Sequence, residues 1–311
     1  RRRVRHGNAG SGRRIFDSFS SAGCFNVGRG NGEIIEAVCR AADVFDMGTP
    51  ALASPLKVEF ARRLAKISPG DLDHVIFTAA GGDAIDCALK LARGATGRNE
   101  ILAMSKAYHG HSGFSLSANG KDYYRNLFEP LMPGFTFLPF GDLEAARRAA
   151  GEHTAAIILE PIQGEGGIHV GDDFYLRGLR ELCDSLGIVL IFDEIQTGFA
   201  RTGRMFYSEH SGVVPDIMVV AKSISGGLYP ISAVVYRDIP LLTGFVGANP
   251  DFHASWGGSD LGCAAGIAVL DYLEKNRVWE NAAKTGAMLM EALRDIMKQN
   301  PHIVREVRGI N

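Results

Sequence analysis

Short, uniformly apolar runs alternate along the chain with longer stretches in which apolar residues recur every three or four positions. The runs 74–78 (HVIFT), 155–159 (AAIIL), 187–192 (GIVLIF) and 216–221 (DIMVVA) are rich in β-branched residues and of strand length. Because they lack polar alternation, they are expected to be buried on both faces, as the strands of a parallel sheet are. Between them, residues 83–93 place Ala84, Ala88 and Leu91 on one helical face, and residues 172–186 are likewise helical. The alternation predicts an α/β fold, a mainly parallel sheet flanked by helices.

The two ends read differently. Residues 31–44 and 56–67 are helical in pattern, and 261–299 is helical almost throughout, with a break near Asn276. These segments are expected to form a smaller layer or domain. The division is then 1–47 as an N-terminal segment of a small domain, 48–272 as the large domain, and 273–311 as the start of a C-terminal small domain. Residues 304–311 (VREVRGIN) read as a strand beginning, so the sequence is expected to be a fragment.

Composition narrows the function classes. The 311 residues are 46% hydrophobic and 22% charged with a net charge of -2, so no global field favours nucleic acid or an anionic membrane. The one basic cluster, Arg1 to Arg5 with Arg13 and Arg14, reads as a solvated surface or a frayed end. Cys24, Cys39, Cys87, Cys183 and Cys263 are scattered without a C-x-x-C pair, which suggests neither a disulfide framework nor a zinc site and fits a reducing cytoplasm. The start lacks the apolar core of a signal peptide, and no apolar run is long enough to span a bilayer, so a soluble protein is expected. The 38 glycines cluster at strand ends, where backbone approaches ligands closely.

In open parallel sheets ligands bind beyond the carboxyl ends of the strands, and four of these ends carry distinctive residues. After Thr78 comes Ala-Ala-Gly81-Gly82, opening into a helix at Asp83, which is either a tight turn or an anion site built of amides. After Leu159 comes EPIQGEGG, a Pro161-stiffened loop with Glu160 and Glu165, either a solvated acidic loop or part of a site. After Phe192 comes DEIQTGFARTG; Asp193 follows five apolar residues, so it needs a cation, either a structural arginine or a ligand. After Ala221 comes KSISGG, where Lys222 is either a surface charge or a desolvated, nucleophilic amine. Together, an anion cradle, a buried carboxylate and a strand-end lysine specify a phosphorylated aldehyde with a basic ring nitrogen, which is pyridoxal phosphate (PLP). Nucleotide motifs of the G-x-x-x-x-G-K-[ST] and G-x-G-x-x-G kinds are missing. His109 and His111 lack a nearby third ligand, so no metal is expected.

The same motifs resemble the class III (ω-amino acid) aminotransferases of the fold-type I PLP enzymes, in order, from about Asn26 to the end of the chain. FTAAGGDA at 77–84 resembles the phosphate loop, YHG at 108–110 the aromatic loop, and 160–167 and 193–203 two further active-site loops. HASWGG at 253–258 resembles a loop that reaches the cofactor phosphate of the partner subunit. The resemblance implies a Schiff base on Lys222, Asp193 on the pyridine nitrogen, Gln196 on the ring hydroxyl and Tyr108 on the ring face. Gly81, Gly82 and, across a homodimer, Ser255 would hold the phosphate. His109 and Glu160 join the cofactor-binding set, and Phe25, His111 and Glu165 the substrate-binding set.

The implied activity is transfer of an amino group from an amine or ω-amino compound to a 2-oxo acid such as pyruvate or 2-oxoglutarate. Departures from the family pattern bear on this. Gly82 and Asp83 replace a hydroxyl residue and Glu, and GGSD at 257–260 replaces Gly-Gly-Asn-Pro. His111 stands where members acting on ω-amino acids often carry an arginine that clamps a distal carboxylate. His111 also motivates a second reading, an aminomutase, epimerase or phospholyase of the same family. The altered phosphate loop motivates a third, a non-catalytic relative.

Overall fold

The structure is a computed structural model that describes residues 17–48 and 52–310. Its strands, in chain order, are β1 (His74–Thr78), β2 (Glu100–Met104), β3 (Phe135–Leu138), β4 (Thr154–Leu159), β5 (Ile162–Gln163), β6 (His169–Val170), β7 (Val189–Asp193), β8 (Ile217–Val220) and β9 (Ser232–Tyr236). Seven of them form one sheet in the order β1-β9-β8-β7-β4-β2-β3, and β5 pairs with β6 in a small hairpin. Strands β8, β7, β4, β2 and β3 run parallel to one another, whereas β9 is antiparallel to both β8 and β1. The mainly parallel α/β sheet predicted from the apolar runs is therefore present.

The alternating faces of the central strands explain the layers. Ile101, Ala103, Ile158, Ile191 and Val219 point to one side, where Ala84, Ile85, Ala88 and Leu91 of helix Gly81–Thr96 cover them. Leu102, Met104, Ile157, Leu159, Leu190 and Phe192 point to the other, against Leu176, Leu179 and Cys183 of helix Asp173–Leu186. Met218, Val220, Ala233 and Val235 pack on the same side with Phe60, Leu64 and helix Asp260–Asn276. Strand β1 departs from the expectation of burial on both faces. It lies at the sheet edge, and only Thr78 in it is fully buried.

Local chemistry sets the helix ends. Asp172 caps helix Asp173–Leu186 by accepting from Tyr175 N–H, and Gly187 ends it in the left-handed conformation. The long C-terminal helical stretch breaks at Arg277, which is left-handed between helices Asp260–Asn276 and Val278–Gln299. Helix Gly32–Ala42 packs on helix Asp260–Asn276, placing Ile34 in the same core as Phe60. The strand expected at the C-terminal end does not form: no described residue after Gln299 is in a strand. A strand requires a paired neighbour, and this segment is instead tied by Arg308 to the carbonyl of Gly167. Among the described residues no helix is long and apolar enough to cross a membrane.

Candidate active site

Parallel pairing of β4, β7 and β8 brings their carboxyl ends side by side: Leu159 is opposite Phe192, and Asp193 is opposite Val219. The residues at these ends, Glu160, Asp193 and Lys222, thereby converge on a cavity of about 220 Å³. Gly81, Gly82, Tyr108, His109, Glu165 and Gln196 also line it. Nine of the twelve residues assigned a site role from sequence are brought together here.

Lys222 leaves β8 in an unusual way. It opens the short 3-10 turn Lys222–Ser225 with a φ of +50°, a left-handed conformation that costs a non-glycine residue of order 1 kcal/mol. Its amine makes no hydrogen bond or ion pair with any described residue. On its other side it lines a second, adjoining cavity with Cys24, Ser225 and Tyr229.

Helix Gly81–Thr96 begins at the cavity wall, two residues earlier than the pattern predicted, and its N-cap Ala80 offers no side-chain acceptor. The first-turn amides lack intrahelical acceptors and carry the positive end of the helix dipole. Asp83 instead accepts from the Ala79 amide, outside the helix. A Cβ on Gly82 would lie 2.8 Å from Ser112 Oγ, and one on Gly110 would lie 2.9 Å from the Gly82 Cα. The aromatic loop thus closes directly onto the helix start because both positions lack side chains.

Among the described residues Asp193 pairs with no arginine; its partner is His109, whose Nδ1 is 2.7 Å from Asp193 Oδ2. The second oxygen of Asp193 accepts from the Ile195 amide at 3.0 Å. Burial works against the His109 imidazolium, but the bond to Asp193 and the charges of Asp193 and Glu160 outweigh it and raise its pKa. Glu160 does not sit in a solvated loop: it is 6% exposed and accepts from the amides of Tyr108 at 2.9 Å and Gly164 at 3.0 Å. Burial pushes its pKa up to about 7.

Three residues stand apart. Ser255 is exposed on the loop before Gly257 and does not line the cavity of its own chain. Phe25 lies beneath the Arg29 guanidinium, 4.0 Å from it, beside Gly227. His111 is at the exposed rim, its ring 5.5 Å from that of Tyr108.

The structure adds residues that sequence reasoning passed over. Asn119 accepts from the His109 amide at 2.6 Å and donates to the Gly110 carbonyl at 2.8 Å, fixing the aromatic loop. Tyr124 packs its ring 5.2 Å from Tyr108. Glu194, fully buried, accepts from Tyr207 N, Ser208 N, Ser208 Oγ and Thr197 Oγ1 and so anchors the loop after β7. Only Glu194 carried a signal, as the second carboxylate after the apolar run.

An amine, a carboxylate, an aromatic face and a dipole-charged cradle of amides fit an aldehyde-bearing pyridine phosphate, and this set on a fold-type I sheet defines a PLP-dependent transferase. Residues 8–310 match the family described as aminotransferase class-III, and the chain belongs to it. It is 42% identical over 298 residues to an uncharacterized aminotransferase of Archaeoglobus fulgidus, covering 96% of this chain and 69% of the relative. Its fold is similar to an (S)-enantioselective omega-transaminase from Thermomicrobium roseum, with a TM-score of 0.90, 34% identity, and coverage of 96% and 73% of the two chains. It is equally similar in fold to the ornithine aminotransferase of Toxoplasma gondii, which shows partial occupancy of PLP at its active site, with a TM-score of 0.90, 30% identity, and coverage of 96% and 72%. The protein is a PLP-dependent transaminase.

Proposed function

We propose that the enzyme moves an amino group from an amine or ω-amino compound to a 2-oxo acid such as pyruvate or 2-oxoglutarate, with Lys222 as the catalytic amine. The observation that carries this reading is the unpaired Lys222 amine in one cavity wall with Asp193 and the Gly81–Gly82 helix start. PLP, when bound, supplies an electron sink for the pair left on a deprotonated substrate carbon. Lys222 Nζ would take the proton from the amine-bearing carbon and deliver it to the cofactor carbon on the other side of the shared nitrogen, which requires an amine free of ion pairs. Asp193 holds a proton on the ring nitrogen, Gln196 meets the ring hydroxyl and Tyr108 covers the ring face. The amides of Gly81 and Gly82 hold the phosphate. Glu165 and His111 at the rim, with Phe25 nearby, would meet the substrate.

The exposure of Ser255 and Trp256, the latter 67% exposed, supports assembly as a homodimer in which Ser255 completes the neighbouring subunit's phosphate site. Five free cysteines support a reducing, cytoplasmic setting.

The test is a panel of amine donors against pyruvate and 2-oxoglutarate. Product should depend stoichiometrically on the added oxo acid and vanish in Lys222→Ala. Turnover without an oxo acid would instead indicate the mutase, epimerase or lyase chemistry that His111 motivates, and light scattering giving a monomer would remove the role of Ser255.

A further inference from the structure

Three aromatic rings at the mouth of the cavity meet one another edge to face. The Tyr108 ring lies 5.2 Å from that of Tyr124 at 61° and 5.5 Å from that of His111 at 71°, and the Tyr124 and His111 rings are 6.0 Å apart at 77°. Of the three, only Tyr108 lines the cavity. Its main chain is fixed, because its amide donates to Glu160 at 2.9 Å. Its phenol makes no hydrogen bond with any described residue, so no polar partner sets the tilt of the ring. Ring pairs favour edge-to-face and offset arrangements, in which the positive edge of one meets the negative face of the other. Two such neighbours hold the Tyr108 ring at one angle. Both phenols stay uncharged at neutral pH, since burial first, and nearby phenol and carboxylate groups after it, raise their pKa values.

Tyr124 is itself well anchored. It belongs to the helical turn Asp122–Arg125, in which the Arg125 guanidinium pairs with Asp122 and lies 4.2 Å over the Phe137 ring of β3. Immediately before the turn, Lys121 Nζ donates to the Glu165 carbonyl at 2.6 Å. The turn is thereby tied both to the sheet and to the Glu165 loop, another part of the cavity wall. We infer that Tyr124 is a positioning residue for the reaction. Its ring, which does not line the cavity, sets the tilt of the Tyr108 ring and through it the fit of Tyr108 against the cofactor ring. The inference rests on Tyr108 being the residue that covers the ring face.

The experiment reads two properties: the circular dichroism of the absorbance band of bound PLP, which reports how asymmetric the contacts on its ring are, and the PLP dissociation constant, from titration of stripped protein. Tyr124→Leu should shrink the dichroic band and weaken PLP binding about two- to tenfold, the range of one edge-to-face contact. Tyr124→Phe keeps the ring and should match the native protein in both. In a Tyr108→Leu background the effect of Tyr124→Leu should vanish, because the action passes through Tyr108. Urea unfolding of the stripped variants separates these effects from a general loss of structure, and Tyr124→Met, a flexible apolar filler, takes the place of leucine if the turn is disturbed. An unchanged band and affinity in Tyr124→Leu, equal damage from phenylalanine and leucine, or an effect of the same size with and without the Tyr108 ring would each overturn the inference. If Tyr108→Leu alone left band and affinity unmoved, the underlying reading of Tyr108 would be the part that failed, and the role of Tyr124 would fall with it.

Discussion

Gly164 and Gln196 interlock: a Cβ on residue 164 would lie 1.6 Å from Gln196 Oε1. The atom it would strike is the end of a flexible side chain, so an alanine can be admitted by swinging the amide away. Gln196 would then lose its seat, in which Nε2 donates to the Ala22 carbonyl at 3.2 Å. Gly164→Ala should therefore leave the melting temperature almost unchanged while weakening PLP binding about tenfold, the equivalent of one lost hydrogen bond. Spectrophotometric titration of stripped protein with PLP checks this, and unchanged affinity would show that Gln196 does not meet the cofactor.

The left-handed backbone of Lys222 predicts a separation of stability from activity. Lys222→Ala and Lys222→Gly should both abolish transamination, because each removes the amine. Only glycine relieves the conformation, so Lys222→Gly should be the more stable of the two by about 1 kcal/mol. Equal unfolding midpoints for the pair in denaturant would show that the turn stores no strain.

What could be seen in the sequence was set by burial. Apolar runs that end abruptly in Asp193, Glu160 and Lys222 reveal strand ends, because a charged residue at the end of a buried strand needs a reason to be there. Strand β1 misled for the same cause: its apolar run looks like a central strand, but edge position is a property of the whole sheet order. The pairing of His109 with Asp193 joins residues 84 apart along the chain and leaves no local trace. The adjacent carboxylates Asp193 and Glu194 are harder still. Successive side chains at a strand end point to opposite sides, one to the cavity and one into the loop at Tyr207 and Ser208, and composition does not say which.

Ser112 and Gly82 should be coupled energetically, because a Cβ on residue 82 would meet Ser112 Oγ at 2.8 Å and Ser115 Oγ at 3.2 Å. Gly82→Ala must push the aromatic loop away from the helix start and should weaken PLP uptake. Removing the obstructing hydroxyl makes room, so Gly82→Ala should cost less affinity in a Ser112→Ala background than alone. A double-mutant cycle in PLP affinity measures the coupling, and strict additivity would place the two residues out of contact.

Glu160 should impose a pH dependence on folding stability. Its pKa rises from an ordinary 4.5 to about 7 on folding, so between these values the folded protein binds more protons than the unfolded chain. The stability it contributes is complete below pH 4.5, declines as pH rises, and is lost once pH passes about 7. Across that window the decline amounts to about 3 kcal/mol for this group alone. Glu160→Gln keeps the shape and an acceptor for the Tyr108 or Gly164 amide but cannot ionise. The difference in stability between the native protein and this variant should therefore shift in favour of the variant as pH is raised from 5 to 8, a span that brackets the upper end of this window. Urea unfolding of PLP-free protein across that range reads the slope directly. A difference that stays flat would mean that the Glu160 carboxyl is ionised in the folded state throughout, and that burial does not govern its charge.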